Sequence, residues 1–299
     1  PAPHNKCAEW ALQGECELNP SYLHQHCAKS CNLCRTSLPK TERCVRHPAE
    51  RPAIEPPQGL DQMYHRILTD PDIVEKYTPY AVSKDPWIVV FENFVTEDEG
   101  NELFSHLPDK WTVSTTVGDL DAAGDVDLTK AGKGARTSTT AWCSMNPCSR
   151  SDVHLEIQKR VAYVTGTDPQ HMEFMQVLNY EPGQYYKAHH DNIGETVNNM
   201  CGPRLLTAFF YFTNAGPDDG GATAFPQLDL EVKPKVGRMV LWPSMLKTDN
   251  TRPDMRTTHE AMNVTGGNKK AANLWSECVF GMACGCVCMC VCVCVCVNV

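Results

Sequence analysis

Short runs of β-branched and aromatic residues fill the second half of the chain, and turn-forming residues separate them. Two such turns are residues 181–183 (Glu-Pro-Gly) and 218–221 (Asp-Asp-Gly-Gly). The pattern predicts a buried strand over 87–91 and further strands over 172–180, 204–212, 223–225, 228–232, 238–242 and 271–275. Regularly spaced short strands favour a double-sheet jelly roll over a parallel α/β sheet. The predicted fold class is mainly β with flanking helices.

Two helices are predicted from their caps and apolar stripes. Thr96 is followed three residues later by Glu99, a capping box that starts a helix. A second helix is predicted from Ser151, with apolar residues repeating from Val153 to Val164 and Gly166 as its stop. We interpret these stripes as core-facing, because apolar residues at helical spacing normally pack against the core.

Composition and charge exclude some classes of partner. The chain has 299 residues and a net charge of −9. Nucleic-acid binding rewards clustered Lys and Arg, so this balance predicts no nucleic-acid partner. The sequence has no apolar run long enough to cross a bilayer, so we predict no membrane span in the observed chain.

The 17 cysteines are concentrated at the two ends of the chain. Residues 7–34 hold five of them among few apolar residues, so we expect disulfides to stabilise this segment. Zinc is the less favoured alternative, because the first two cysteines lack tight metal-ligand spacing. Dense disulfides predict an oxidising compartment, the endoplasmic reticulum lumen or the secretory pathway.

The chain divides into four predicted parts. They are a disulfide-rich module over 1–36, a proline-rich linker over 37–85, a main domain over 86–280 and a low-complexity Cys-Val tail over 281–299. One short helix is expected within the linker, near residues 60–68. A repeated TG dinucleotide encodes alternating Cys and Val, so we interpret the tail as a translated repeat or a gene-model error.

A His-x-Asp pair provides the first half of a candidate metal site. Alternation along an extended strand places His189 and Asp191 on one face and His190 on the other. His259 is the best third ligand, although only a folded sheet could bring it close. Two imidazoles and one carboxylate with open positions suit a non-haem Fe(II) oxygenase.

A lysine follows His259 by ten positions, with Gly266-Gly267 between them. This spacing suggests a strand, a turn and a returning strand. We expect Lys269 to enter the same cavity as a fixed positive charge for an anionic co-substrate.

Several motifs occur together in an order that carries a resemblance. Residues 7–34 resemble the ShK-toxin-like (ShKT) module, with five cysteines in register where such modules carry six. The main domain resembles the 2-oxoglutarate- and Fe(II)-dependent prolyl 4-hydroxylases related to the catalytic subunit of the collagen enzyme. The matching landmarks are Arg136-Thr-Ser138, Asn179-Tyr180, Tyr186-x-x-His189-x-Asp191, Gly220-Gly-Ala-Thr223-x-Phe-Pro226, His259 with Lys269, and Asn273-Leu-Trp275.

The resemblance implies a double-stranded β-helix and a role for each matching residue. His189, Asp191 and His259 would hold Fe(II), and Lys269 would pair with the distal carboxylate of 2-oxoglutarate. Hydrogen bonds to that carboxylate are expected from Tyr180 and Thr223. The substrate contacts implied or suggested are Tyr186, Trp275, Arg204 and Arg136. No catalytic residue is expected beyond the metal ligands.

The implied activity is hydroxylation of peptidyl proline with O2 and 2-oxoglutarate, which yields succinate and CO2, with ascorbate as a further cofactor. The implied partner is a proline-rich peptide or protein. One alternative keeps the oxygenase but changes the substrate, for example to lysyl residues. A second alternative is a secreted ShKT-type binding protein with an inert jelly roll. The four residues His189, Asp191, His259 and Lys269 favour the enzyme, because an inert scaffold would not need them.

Overall fold

The computed structural model describes residues 54, 59–108, 111–114, 134–144, 146–192, 203–277, 286–289 and 293–296. The predicted ShKT-like module and its disulfides lie outside these ranges. The described helices are α1 (Gly59–Thr69), α2 (Pro71–Tyr77), α3 (Glu97–Ser105) and α4 (Asp152–Thr165). Short 3-10 turns span Cys148–Arg150, Pro169–His171 and Met255–Thr257.

Antiparallel strands make up the rest of the regular structure. The first eight are β1 (Pro79–Lys84), β2 (Trp87–Phe91), β3 (Thr112–Val113), β4 (Thr139–Trp142), β5 (Gln176–Tyr180), β6 (Tyr186–His189), β7 (Arg204–Tyr211) and β8 (Thr223–Phe225). The next six are β9 (Leu230–Val232), β10 (Met239–Pro243), β11 (Met245–Leu246), β12 (Asp249–Pro253), β13 (His259–Ala261) and β14 (Lys269–Glu277). In the tail, β15 (Cys286–Met289) and β16 (Val293–Cys296) pair with each other.

Two sheets enclose the main core. The larger has the order β1-β2-β10-β7-β14-β5-β4-β3, and the smaller has the order β6-β13-β8-β9. Both contribute to one buried cluster, in which Phe209 and Trp242 of the larger sheet lie with Phe225 and Val232 of the smaller. This confirms the predicted jelly-roll class, because two antiparallel sheets bury one apolar face each against the other.

The predicted helix caps are confirmed. The Thr96 side chain accepts from the Glu99 amide while the Glu99 side chain accepts from the Thr96 amide, which begins α3. Ser151 caps α4, and Gly166 ends it at a φ of 70°. Glycine is suited to this left-handed position because it has no Cβ.

Part of the predicted linker is folded. Within 37–85, the structure contains α1, α2 and β1, and β1 pairs along β2. Tyr64, Ile67 and Ile73 on these helices are fully buried. The short helix expected near 60–68 is present as α1, but the linker prediction is wrong for α2 and β1. Pro71 is the first residue of α2 and Pro79 the first residue of β1, positions at which proline is tolerated.

Two further features were not predicted. Cys143 and Cys148 form a disulfide, which closes a short loop directly after β4. Also, β13 and β14 belong to different sheets, so the chain between His259 and Lys269 connects two sheets rather than forming a hairpin. Among the described residues, no helix has the length and apolar character needed to cross a bilayer.

Candidate active site

Three side chains predicted as metal ligands lie together between the sheets. His189 ends β6 and His259 begins β13, and the two residues are direct partners in the ladder. Their ring centres are 4.4 Å apart. Asp191 follows β6, and its Oδ2 is 3.7 Å from His259 Nε2. One donor atom from each residue lies within 4.8 Å of the others, so the three side chains can bind one metal ion together.

Backbone carbonyls fix the orientation of both imidazoles. His189 Nδ1 is 2.8 Å from the Lys187 carbonyl, and His259 Nδ1 is 3.0 Å from the Thr257 carbonyl. A carbonyl only accepts, so Nδ1 must carry the hydrogen and Nε2 keeps its lone pair. Both rings are thus held in the tautomer that can bind a metal through Nε2.

The electrostatics of the cluster favour a cation. Burial lowers the pKa of both His189 and His259, so both imidazoles are neutral near neutral pH. Burial raises the pKa of Asp191, but the neighbouring His259 and His189, with other contacts, bring it down to about 2. Two neutral imidazoles and one ionised carboxylate are a suitable donor set for Fe(II).

His190, between the two ligands in sequence, points elsewhere. Its ring is buried, with Nε2 3.1 Å from the Asp254 carbonyl and 3.2 Å from Thr257 Oγ1. The predicted alternation of faces therefore holds across these positions, and the role of His190 is structural.

A cavity extends from the histidines into the fold. Six of the predicted site residues are among its lining side chains: Arg136, Tyr180, Tyr186, His189, Thr223 and His259. Leu178, Phe209, Ala261 and Asn273 complete the lining. The cavity therefore brings the two candidate histidine ligands together with two residues expected to bind co-substrate and two expected to contact substrate.

Lys269 is buried beside this cavity, and no carboxylate of the described residues pairs with it. Its Nζ lies 5.2 Å and 5.4 Å from the ring centres of Tyr180 and Phe209, both of which line the cavity. Among the described residues, Nζ has no hydrogen-bond partner. Burial lowers the pKa of Lys269 to about 7. An unpaired ammonium in such surroundings is costly, so the site fits an incoming carboxylate that would supply the missing counter-charge.

Thr223 and Tyr180 lie on opposite sheets of the cavity wall, on β8 and β5. The Tyr211 hydroxyl donates a 2.7 Å hydrogen bond to Thr223 Oγ1. Tyr211 Oη also lies 3.1 Å from the Val232 carbonyl, which can only accept, so the single Tyr211 hydrogen is shared between that carbonyl and Thr223 Oγ1. While Tyr211 donates to Thr223, the hydrogen of Thr223 can point to a further acceptor. This orientation is compatible with the expected hydrogen bond from Thr223 to a bound carboxylate.

Tyr186 is held between an imidazole and a guanidinium. Its ring stacks on His189 with centres 3.5 Å apart, and the Arg136 guanidinium carbon lies 4.5 Å from the ring centre. Arg136 is buried and donates to Ser138 Oγ at 3.1 Å. Burial raises the pKa of Tyr186 to about 12, so the hydroxyl keeps its proton.

Arg204 and Trp275 lie together outside the cavity lining. The guanidinium carbon of Arg204 is 3.6 Å from the Trp275 ring centre. Arg204 also donates to both carboxylate oxygens of Glu173, at 2.5 Å and 2.8 Å. Its Nη1 is 3.5 Å from the Asp191 carbonyl, so this pair of residues supports the loop that carries the candidate ligand.

Two residues that support the site, Thr207 and Glu173, were not predicted from the sequence. Thr207 is fully buried and donates to Asp191 Oδ2 at 2.6 Å. A threonine among the apolar residues of β7 was the available signal, since a buried polar group needs a partner. Glu173 gave no comparable signal, because its pairing with Arg204 joins residues distant in sequence.

Two family models match parts of the chain. A model described as the 2OG-Fe(II) oxygenase superfamily matches residues 175–277, which include all three candidate metal ligands and Lys269. A model described as ShK domain-like matches residues 2–34.

The relatives include plant and animal enzymes. Prolyl 4-hydroxylase 1 of Arabidopsis thaliana is 31% identical over 214 residues, which cover 66% of this chain and 71% of that protein. Prolyl 4-hydroxylase subunit alpha-1 of Homo sapiens is 33% identical over 147 residues, which cover 47% of this chain and 26% of the subunit. Among solved structures, viral collagen prolyl hydroxylase from Paramecium bursaria Chlorella virus-1 is 22% identical with a TM-score of 0.48, and the match covers 66% of this chain and 99% of that one.

Proposed function

Since this chain belongs to the family of 2-oxoglutarate- and Fe(II)-dependent prolyl 4-hydroxylases, we propose that it hydroxylates proline residues in a proline-rich peptide or protein. The observation that carries this proposal is the cluster of His189, Asp191 and His259 at a cavity beside Lys269, whose Nζ has no partner in the described part of the chain. The cluster supplies a metal site, and Lys269 supplies the charge for a dicarboxylate co-substrate.

The chain would hold Fe(II) through His189 Nε2, His259 Nε2 and the carboxylate of Asp191. The carbonyls of Lys187 and Thr257 keep both imidazoles in the required tautomer. Thr207 holds the carboxylate in place through its 2.6 Å hydrogen bond. With bound 2-oxoglutarate, the iron would supply the oxygen chemistry, sending one atom of O2 to the co-substrate, which becomes succinate and CO2, and the other to proline C4.

The role of Lys269 is to bind and orient the co-substrate. Its ammonium would pair with the distal carboxylate, and the hydroxyls of Thr223 and Tyr180 would donate to the same group. A charge-assisted hydrogen bond inside a low-dielectric site is stronger than a neutral one. The rings of Tyr180, Phe209 and Tyr211, whose centres lie 5.2–5.6 Å from Nζ, would shield this pair from water.

Substrate contacts are proposed for Tyr186, Arg136, Trp275 and Arg204. Tyr186 and Arg136 line the cavity, where a proline ring would be placed against the metal site. Trp275 and Arg204 form a stacked pair next to it. In this proposal the protein orients the substrate and co-substrate and excludes water from them. No side chain needs to act as nucleophile or general acid.

We also propose ascorbate as the reductant that keeps iron as Fe(II), and the endoplasmic reticulum or secretory pathway as the compartment. The Cys143–Cys148 disulfide and the cysteine-rich residues 7–34 support an oxidising location.

The test is mass spectrometry of a proline-rich peptide incubated with the protein, Fe(II), 2-oxoglutarate and ascorbate. We expect a gain of one oxygen on proline that requires 2-oxoglutarate and is lost in His189→Ala. His106→Ala is the matched control, because His106 lies at the end of α3, away from the cavity. Formation of succinate without oxidation of the peptide would show that the substrate belongs to another class. If folded, iron-loaded protein forms neither succinate nor oxidised peptide, the proposal is overturned.

A further inference from the structure

An exposed tryptophan lies on the face of the large sheet that bears the cavity. Trp142 on β4 is opposite Gln176 on β5, and Gln176 is opposite Asn273 on β14. Asn273 is in turn opposite Phe209 on β7. Opposed residues of antiparallel strands project to the same face, and both Asn273 and Phe209 line the cavity. Trp142 therefore lies on the cavity face, and its side chain is 39% exposed.

Aromatic and cationic groups connect Trp142 to the candidate metal site. Its ring centre is 6.3 Å from that of Trp275. Trp275 carries the Arg204 guanidinium 3.6 Å above its ring, and Arg204 reaches the Asp191 carbonyl. A line of contacts thus runs from the exposed ring to the loop of a candidate metal ligand.

The backbone that carries Trp142 is fixed on both sides. Its strand is paired along β5, and the next residue, Cys143, donates its amide to the Met175 carbonyl at 2.9 Å. Cys143 is also tied to Cys148 by the disulfide. With its backbone fixed and its ring in contact with Trp275, Trp142 loses less conformational freedom on ligand binding than a residue on an unpaired segment would.

We propose that Trp142 is a docking subsite for the part of a proline-rich peptide that extends beyond the cavity. The inference rests on the proposed function, and it adds a residue that only peptides longer than the cavity can contact. Proline-rich segments adopt the extended polyproline II helix, which has no internal hydrogen bonds and docks on aromatic side chains. Single exposed apolar residues are common on protein surfaces, but this one shares a face with the cavity and continues the Trp275–Arg204 stack.

The experiment compares a long poly-L-proline peptide with a proline-containing tripeptide. Binding is measured by calorimetry on full-length protein with Fe(II) and 2-oxoglutarate in the absence of O2, so that no turnover occurs. In Trp142→Ala we expect the Kd of the long peptide to rise by about tenfold, the loss typical of one aromatic contact, and the Kd of the tripeptide to stay unchanged. Trp142→Phe should keep most of the affinity.

Tyr163→Ala is the matched control, because Tyr163 is an aromatic residue on α4 that is 48% exposed. In turnover assays, Trp142→Ala should raise KM for the long peptide and leave kcat unchanged. The subsite is overturned if Trp142→Ala weakens the binding of both peptides equally or of neither. It is also overturned if the unaltered protein does not bind the long peptide. Length-dependent binding without proline oxidation would retain the subsite and reject the proposed function.

Discussion

The Thr207 hydroxyl donates a 2.6 Å hydrogen bond to Asp191 Oδ2, and both side chains are buried. Thr207 thereby orients a carboxylate that lies just past the end of β6, where no ladder holds it. Hydrogen bonds of this kind commonly contribute tenfold to a hundredfold to metal affinity.

We therefore predict that Thr207→Val binds Fe(II) or Co(II) about tenfold to a hundredfold more weakly than the unaltered protein. The substitution preserves volume and removes only the donor. Metal titration in the absence of co-substrate measures the effect, and Thr207→Ser is the control because it retains the hydroxyl. Equal affinities for the Val and Ser variants would show that Asp191 needs no such support.

Binding of 2-oxoglutarate should take up a proton. The pKa of Lys269 is lowered to about 7 by burial, so at about pH 8 most of the free protein carries the neutral amine. Pairing with a carboxylate requires the ammonium, so proton uptake should approach one per ligand, and affinity should fall as pH rises above 7. Calorimetry in two buffers of different ionisation enthalpy measures this uptake, and its absence would contradict the assignment of Lys269.

Replacing Lys269 should stabilise the protein that has no co-substrate. The folded-state pKa of Lys269 is below that of an unfolded lysine, so burial of the ammonium lowers the free energy of unfolding below pH 7. That penalty disappears as pH rises from 7 toward the ordinary lysine value. Lys269→Met should therefore raise the free energy of unfolding by a few kcal/mol near neutral pH, at about 1.4 kcal/mol per unit of pKa shift.

Denaturant melts at neutral and alkaline pH measure this gain, which should shrink at the higher pH. The same variant should no longer bind 2-oxoglutarate. A loss of stability in Lys269→Met at neutral pH would show that the ammonium is already compensated in the free protein.

Gly220 should tolerate no side chain. A Cβ there would lie 2.2 Å from the Asn263 carbonyl oxygen, and φ is +65°. Gly134 has a similar φ of +77°, but a Cβ there meets no atom of the described residues within 4 Å. We predict that Gly134→Ala costs only the backbone penalty of about 1–2 kcal/mol, while Gly220→Ala costs more than about 3 kcal/mol. Thermal or urea melts compare the stabilities of the two variants. Similar losses of stability would show that the positive φ, and not the contact with Asn263, causes the destabilisation.

The Cys143–Cys148 disulfide should contribute to stability. It closes a loop with a sequence separation of 5, for which restriction of the unfolded chain predicts about 2 kcal/mol. The double variant Cys143→Ser, Cys148→Ser should unfold at correspondingly lower urea concentration. Non-reducing peptide mapping checks the pairing first, and free thiols at both positions in natively purified protein would remove the basis of the prediction.

The sequence alone was sufficient for the type and approximate place of most elements. Strands over 87–91 and 223–225 and the caps at Thr96 and Ser151 were predicted as the structure has them. These features depend on residues close together in the chain, whose spacing and capping groups act locally. The short helix expected near 60–68 is present as α1, but α2 and β1 were missed because the proline content of this segment resembles a linker, and only the pairing of β1 with β2 reveals its place in the fold.

For the site, the sequence determined which chemical groups were available: a His-x-Asp pair, a distant histidine and a lysine. Only the tertiary structure decided their surroundings, placing β13 and β14 in different sheets and Thr207 against Asp191. It likewise placed Trp142 on the cavity face. The physical reason is that strand register fixes which side chains meet across long sequence separations, and register depends on the packing of the whole sheet.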